Sequence, residues 1–475
     1  MSQVEPRPFI LNAFEMTTVS HTNFGLWRHP EDRTSEYTGL RFWTDLARLL
    51  DEGGFDGLFI ADGVGQLDVY GGSAAAALAG GVQAPINDPL LAVSAMAAVT
   101  EHLGFGLTVS TTYEYPYLLA RKFTTLDHLT EGRVAWNVVT STRDSAARNI
   151  LGRDSQIPHD TRYEIAEEFI DVAYKLWEGS WEDDAVVRDR ERRVYTDPAK
   201  VHPIAHRGKH FTVPGPHLSE PSPQRTPVLF QAGTSEAGKT FAARHAEVVF
   251  LHGPTPELVR RQTDDIRARA VAAGRSRDAV KFITSVLVVT GPTDAAARDR
   301  YEQLTRYHSA EGSLVLLSGV TGVDWSTANL DAPLEYVETE GGRSALATYT
   351  KLDPARRWTL RDIYGELGRN EAIVGGAKTV VDRLEALADE GGLDGFNLSY
   401  ALMPGTFEDF IDYVVPELRR RGRIRERQPG QTLRQRLFGA ESPYLPDEHP
   451  GSRYRREGPT WPSIAPSREA ATAAA

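Results

Sequence analysis

No cysteine occurs among the 475 residues, and that absence removes disulfides, thiolate metal sites and cysteine nucleophiles together. Any reactive group must be an ordinary side chain or a cofactor. Long apolar runs are missing too. No window approaches the ~18 uninterrupted apolar residues of a membrane-spanning helix, and the opening MSQVEPRPFILNAFEM lacks the basic start and cleavable apolar segment of a secretory signal. A cytoplasmic protein with no membrane span is expected. Cations are outnumbered, 53 Lys+Arg against 65 Asp+Glu for a net charge of −12, which argues against a nucleic-acid or acidic-membrane partner. After the first apolar run, NAFEMTTVSH contains no glycine, whereas a doubly wound dinucleotide fold would carry its glycine fingerprint there.

What the chain does hold is a succession of eight strand-like apolar runs, at 9–13, 57–61, 104–110, 134–139, 227–231, 247–251, 282–289 and 394–399. Helical patterns lie between them, among them 40–50, 90–101, 118–129, 165–177, 236–245, 256–273, 294–304 and 377–389. GLFIAD and PVLFQAG are apolar throughout rather than alternating, as in parallel strands covered on both faces. Repeated βα units predict an α/β fold, a TIM (β/α)8 barrel. The expected organisation is a single barrel over 1–422 with insertions at about 178–226, after strand 4, and 306–373, between strands 7 and 8. Loops of such length in compact domains serve as lids or partner surfaces. An extended C-terminal arm, 423–475, is expected to lie on another subunit and to finish in a tail disordered by composition.

In such a barrel the working groups sit at the C-terminal strand ends. Those ends supply Phe14, Thr18 and His21; Asp62; Thr108 and Ser110; Asn137, Thr140 and Ser141; Gly233, Thr234 and Ser235; His252; and Asn397 with Tyr400. The set is rich in hydroxyls and poor in carboxylates. The fourth and seventh strands end in Thr140 and Thr290, against a glycosidase, which needs paired carboxyls. His21 stands alone, and His245 and His252 read as surface or packing residues, so no metal site is expected. QAGTSEAGK, 231–239, combines glycines, hydroxyls and a helix start, an anion cradle that does not follow the Walker spacing; a plain helix cap at Thr234 or Ser235 reads the same residues. His159 and Tyr163, four apart, share a helix face. A large polar cofactor with a phosphate suits this rim.

Several segments carry a specific resemblance: NAFEM (12–16), GLWRHPEDR (25–33), GGFDGLFIAD (53–62), TLDHLTEGRVAWNVVTS (125–141), HDTRY (159–163), VPGPHLSEPSPQRTPV (213–228), QAGTSEAG (231–238) and PGTFEDF (404–410). Together they resemble the bacterial-luciferase-type flavin monooxygenases, in the branch of the nitrilotriacetate, dibenzothiophene sulfone, dimethylsulfide and long-chain alkane enzymes. The resemblance implies a TIM barrel and a two-component reaction. A separate NAD(P)H:flavin reductase supplies reduced FMN, O2 is the co-substrate, and a flavin C4a-hydroperoxide oxygenates a small lipophilic alkane, thioether or halogenated aromatic. It also implies a homodimer or homotetramer. Carried over by position, Asp62, Thr108, Ser110, Asn137, Thr140, Ser141, His159, Tyr163, Thr234 and Ser235 bind FMN, the last four at its phosphate and ribityl chain. His21 becomes the acid/base or hydrogen-bond donor near the flavin, with Phe14, Thr18 and Thr142 beside it, and Leu67, Gln83 and Asn87 line the substrate pocket. Thr18, Leu67 and Thr142 stand where the alkane enzyme resembles Cys, Tyr and His, so the substrate is expected to differ from a long-chain alkane. A sulfone or aminopolycarboxylate monooxygenase, and a deazaflavin-dependent hydride-transfer enzyme, are the alternative readings.

Overall fold

Each of the eight apolar runs becomes a parallel strand in the computed structural model, which describes residues 7–253, 255–335, 357–364, 367 and 372–456. The strands are β1 (Ile10–Met16), β2 (Gly57–Ala61), β3 (Gly104–Ser110), β4 (Val134–Val139), β5 (Val228–Gln231), β6 (Val248–Leu251), β7 (Lys281–Thr290) and β8 (Gly395–Ser399). Neighbours in sequence pair with one another, and β8 pairs with β1 through Ile10↔Gly395 to Ala13↔Leu398. The sheet therefore closes into a TIM barrel. Every residue of β1 and β3 is buried, because one face meets the barrel interior and the other meets the ring of helices. The first of those helices, Leu40–Gly53, buries Phe42, Trp43, Leu46, Ala47 and Leu50 along one stripe and stops at Gly54, whose φ of 91° forms a left-handed C-cap.

Three elements depart from the expected pattern. The helix expected over 165–177 starts earlier, as His159–Tyr174, and runs on through a π-turn at Lys175–Gly179. His159 is thus its first residue. The stretch 306–373 is more ordered than its weak periodicity implies: it contains the helix Ala310–Thr321, and Ile373–Gly375 adds a short parallel strand beside Val288–Thr290 of β7. Gly312 to Ser318 are all buried, so this helix has no polar face and hence no amphipathic signature. Residues 336–356 of that insertion lie outside the described residues. The insertion after β4 carries two small antiparallel pairs, Val186–Asp189 with Val194–Thr196 and His206–Arg207 with Thr212–Val213.

The arm packs against its own chain. Residues 423–456 fold beneath the N-terminal end of the barrel, where a capping box of Thr432 and Gln435 starts the helix Leu433–Phe438. Leu433 and Leu437 complete the interior cluster of Ile10, Phe14, Phe59, Phe230 and Ile283. Between them Arg434, 1% exposed, meets Glu247, 2% exposed, with Nε 2.7 Å from Oε1 and Nη2 2.9 Å from Oε2. The same guanidinium donates to the carbonyls of Thr226 at 3.0 Å and Pro443 at 2.7 Å. This fork geometry joins the arm to β5 and β6. The expected disordered tail, from 457 onward, lies outside the described residues.

Removing one partner of such a pair strands the other charge in the core. Arg434→Met is expected to lower unfolding free energy by about 3–5 kcal/mol, read as an earlier midpoint in urea. The double change Arg434→Met with Glu247→Leu should recover much of it; no recovery would mean the pair does not carry the effect.

Candidate functional site

Two joined cavities open among the C-terminal strand ends. One is a polar slot of 310 Å³ between the ends of β2, β4 and β5, lined among others by Asp62, Thr140, Ser141, His159, Tyr163 and Thr234. The other is a chamber of 680 Å³ whose walls include Phe14, His21, Gln83, Phe250, Leu316 and Tyr400. Arg143, Ala232, Thr234 and Val320 belong to both walls. A surface groove of 730 Å³ along Tyr115, Trp181 and Leu218 is lined by no strand-end residue.

The slot is built where β4 stops. Ser141 takes a left-handed φ of 51°, a conformation that costs a non-glycine residue energy and persists only when its surroundings enforce it. Arg162, 1% exposed, supplies that enforcement: its Nη1 donates to the carbonyls of Ser141 and Thr140, and its Nε to that of Ile157 at 2.9 Å. Ser141 Oγ donates to Ser110 Oγ at 2.9 Å, and Thr112 Oγ1 to the Thr140 carbonyl at 2.6 Å. Opposite, Ser235 caps the helix Glu236–His245 by accepting the N–H of Gly238 at 3.1 Å. The positive end of that helix therefore borders the slot. His159 Nε2 lies 3.2 Å from Ser235 Oγ, while Nδ1 lies 2.7 Å from the Asp160 carboxylate, which orients the ring. The Tyr163 hydroxyl bonds to Ser235 and Thr140, and burial pushes its phenol above the ordinary value.

Two glycines leave room for that phenol, for Gln231 Nε2, 2.4 Å from where a Gly233 Cβ would stand, and for the Gly233 carbonyl carbon, 2.8 Å from a Gly238 Cβ. A Cβ on Gly233 would stand 2.6 Å from Tyr163 Oη, and one on Gly238 would stand 2.8 Å from the same atom. The resulting ring of hydroxyls, phenol, imidazole and helix N–H groups is a donor set suited to an oxyanion such as a phosphate monoester.

The chamber is mostly apolar. Phe14 meets His21 edge to face at 4.4 Å and Phe250 at 5.2 Å. Gln83 Nε2 donates to the His21 carbonyl at 3.1 Å, fixing the loop that carries the imidazole. Leu316 and Val320, from the helix Ala310–Thr321, and Leu367 form the covering wall. Behind the opposite wall Tyr400 donates to Glu15 at 2.8 Å, and burial holds the Glu15 carboxyl well above its usual range.

Of the residues singled out in the sequence, Asp62, Thr140, Ser141, Thr142, His159, Tyr163, Thr234 and Ser235 meet on the slot, and Phe14, His21 and Gln83 on the chamber. Ser110 stands one hydrogen bond behind Ser141. Thr108 and Asn137 bond to each other at 2.9 Å deeper in the barrel. Thr18, Leu67 and Asn87 are likewise off both walls. Thr18 turns its hydroxyl to the Pro85 carbonyl at 2.6 Å, Leu67 packs with Phe24, Val82, Val315 and Leu316 behind the covering helix, and Asn87 is exposed, tied by its backbone to Thr17. Sequence reasoning missed Arg143, Arg162, Leu316 and Val320, and took the chamber-lining His252 for a packing residue. Arg162 lies within the quoted motif HDTRY and Arg143 two residues past the end of another, but nothing in their spacing marks them.

Comparison with known proteins places this geometry in context. A family model described as luciferase-like monooxygenase matches residues 22–394. The chain is 52% identical to the dimethyl-sulfide monooxygenase of Hyphomicrobium sulfonivorans, covering 94% of this chain and 93% of that protein. It is 49% identical to the long-chain alkane monooxygenase of Geobacillus thermodenitrificans (strain NG80-2), covering 94% and 97% respectively. A solved structure of a riboflavin lyase (RcaE) with modified FMN and substrate riboflavin matches with a TM-score of 0.87 at 36% identity, over 94% of this chain and 100% of that one.

Asp62 gives the slot a measurable signature. Burial pushes its carboxyl up to about 6, against the opposing pull of the Gly63 N–H and Arg143. The folded chain then holds this proton more tightly than the unfolded chain, so stability falls as pH rises from about 4 to about 6 and levels off above. In Asp62→Asn this part of the decline should vanish from thermal midpoints measured between pH 4 and pH 7; an unaltered profile would contradict the assignment.

Proposed function

The chain belongs to the luciferase-like monooxygenases, a family of flavin-dependent oxygenases, and from that membership we propose that it is the oxygenase of a two-component system, using reduced FMN and O2 on a small thioether or alkane. The observation that carries this reading is the junction of an oxyanion slot with an apolar chamber. A phosphorylated ring cofactor needs both, one for its anionic tail and one for its ring with a lipophilic substrate beside it.

His159, Tyr163, Thr234 and Ser235 hold the FMN phosphate and ribityl chain, while Thr140, Ser141 and Asp62 lie along the path toward the ring. When bound, the reduced flavin supplies the electrons and the oxygen activation that no side chain of this set can provide. The protein's own work is positional. Leu316, Val320 and Leu367 keep water from the chamber, Phe14 and Phe250 present an apolar surface to the substrate, and His21 serves as hydrogen-bond donor or acid/base near the reacting atoms. Thr142, exposed on the slot wall, tunes substrate choice. The dimethyl-sulfide and alkane enzymes it resembles support a thioether or alkane.

A separate NAD(P)H:flavin reductase supplies the reduced cofactor. Among the described residues no helix is long and apolar enough to cross a membrane, and we place the enzyme in the cytoplasm, beside the reductant pool. Leu91, Leu118 and Leu129 are exposed on neighbouring helices and offer apolar surface for a homodimer or homotetramer.

With a reductase, NADH, FMN and ¹⁸O2, dimethyl sulfide or a linear alkane should yield a product carrying ¹⁸O, and none without the reductase. Absence of labelled product from every thioether and alkane tried would sink the reading, and turnover without O2 would favour hydride transfer. Tyr163→Phe, losing one hydrogen bond, should weaken FMN binding about threefold to tenfold. Thr142→His should shift the thioether-to-alkane turnover ratio more than it changes flavin affinity.

A further inference from the structure

Arg143 begins where the hydroxyl turn of the slot ends, and it lines the slot and the chamber alike. The loop 62–65 closes over it. A Cβ on Gly63 would meet the guanidinium carbon at 3.2 Å, and one on Gly65 would meet Arg143 Cβ at 2.9 Å. The head group is fixed from two sides, with Nη1 donating to the Gly65 carbonyl and Nη2 to Gln83 Oε1 at 2.9 Å.

Both acceptors are neutral. Among the described residues no carboxylate stands within ion-pair distance of Arg143; Asp62 and Asp68 act on it only from farther away, and Asp68 is engaged by Arg148. Burial accordingly lowers the Arg143 pKa from its ordinary value. A half-buried guanidinium whose direct partners are all neutral keeps its charge available to a ligand that brings the opposite one. The guanidinium is also pre-aimed, since its partners hold it at the junction of the two cavities.

Resting on the flavin reading above, we propose that Arg143 holds the negative charge of the reduced isoalloxazine ring and so makes the protein select reduced over oxidised FMN. A cofactor with its phosphate in the slot and its ring in the chamber spans the wall to which Arg143 belongs. The phosphate is the same in both redox states, so a group at the phosphate cannot tell them apart. Reduction adds charge to the ring as its N1 anion, and a fixed cation beside the ring responds to that difference alone. An oxygenase fed by a separate reductase needs this discrimination, because it must take up the reduced form and release the oxidised one.

Binding under anaerobic conditions tests the proposal without turnover. Oxidised FMN and dithionite-reduced FMN are titrated separately into wild type, Arg143→Gln and Arg143→Lys, with flavin fluorescence and ultrafiltration as readouts. Wild type is expected to bind the reduced form at least tenfold more tightly. In Arg143→Gln that ratio should fall about tenfold, equivalent to about 30 mV in the two-electron potential of the bound flavin, and Arg143→Lys should retain most of it. Equal affinity for the two forms in wild type overturns the proposal even if the variants do not fold, and so does an Arg143→Gln variant that loses affinity for both forms alike. Wild type binding neither form would instead bring down the flavin reading itself.

Discussion

A closed parallel barrel leaves no strand edge and no solvated sheet face, so polar side chains on its strands are driven to the two open ends. The pairing of β8 with β1 sets this constraint, and the two ends of the molecule answer it differently. At the N-terminal end the arm covers the opening and satisfies what it buries with paired charge, Arg434 against Glu247. At the C-terminal end the strands run out into hydroxyl and amide residues whose hydrogen-bonding capacity is turned toward a cavity. One end is sealed and the other receptive.

The receptive end divides its labour by polarity. The slot gathers neutral donors and a helix terminus around a space fit for an anion, and two glycines there leave the room a Cβ would take to a tyrosine hydroxyl, a glutamine amide and the facing backbone. The chamber gathers phenylalanines and the apolar side chains of a helix borrowed from an insertion. Arg143 stands at the division and Asp62 on the slot wall, each displaced from its ordinary protonation behaviour by burial. Charge is thereby concentrated at the seam.

Sequence made most of the frame legible because its physics is local. Apolar runs such as GLFIA can be satisfied only by burial on both faces, and each became a strand. The slot was legible for the same reason: Thr140, Ser141, Thr234 and Ser235 end strands, and a barrel brings strand ends together. What escaped depended on distant packing. The helix Ala310–Thr321 is buried on all sides and left no period to read. Arg143 and Arg162 resemble any other surface arginine until the chain folds around them. Leu67 and Asn87 were placed by resemblance and Thr18 also by its position after the first strand, and each finds a backbone or packing partner outside the cavity walls. The arm's arginines are drawn inward by carbonyls and carboxylates at the barrel floor, partners that lie far away in the sequence.

The placement of that arm bears on the order in which a ribosome delivers the chain. The first strand is finished by contacts with some of the last described residues: Asn12 bonds Asn397, 385 positions away, and the Phe9 carbonyl accepts from Arg425, 416 positions away. Leu433 and Leu437 enter the same interior as Ile10 and Phe14. A nascent barrel therefore stays open at its floor, with apolar interior exposed, until almost the whole polypeptide has emerged. Such long-range closure slows folding and prolongs exposure of aggregation-prone surface, so the arrival of Leu433 and Leu437 sets when the barrel floor can close.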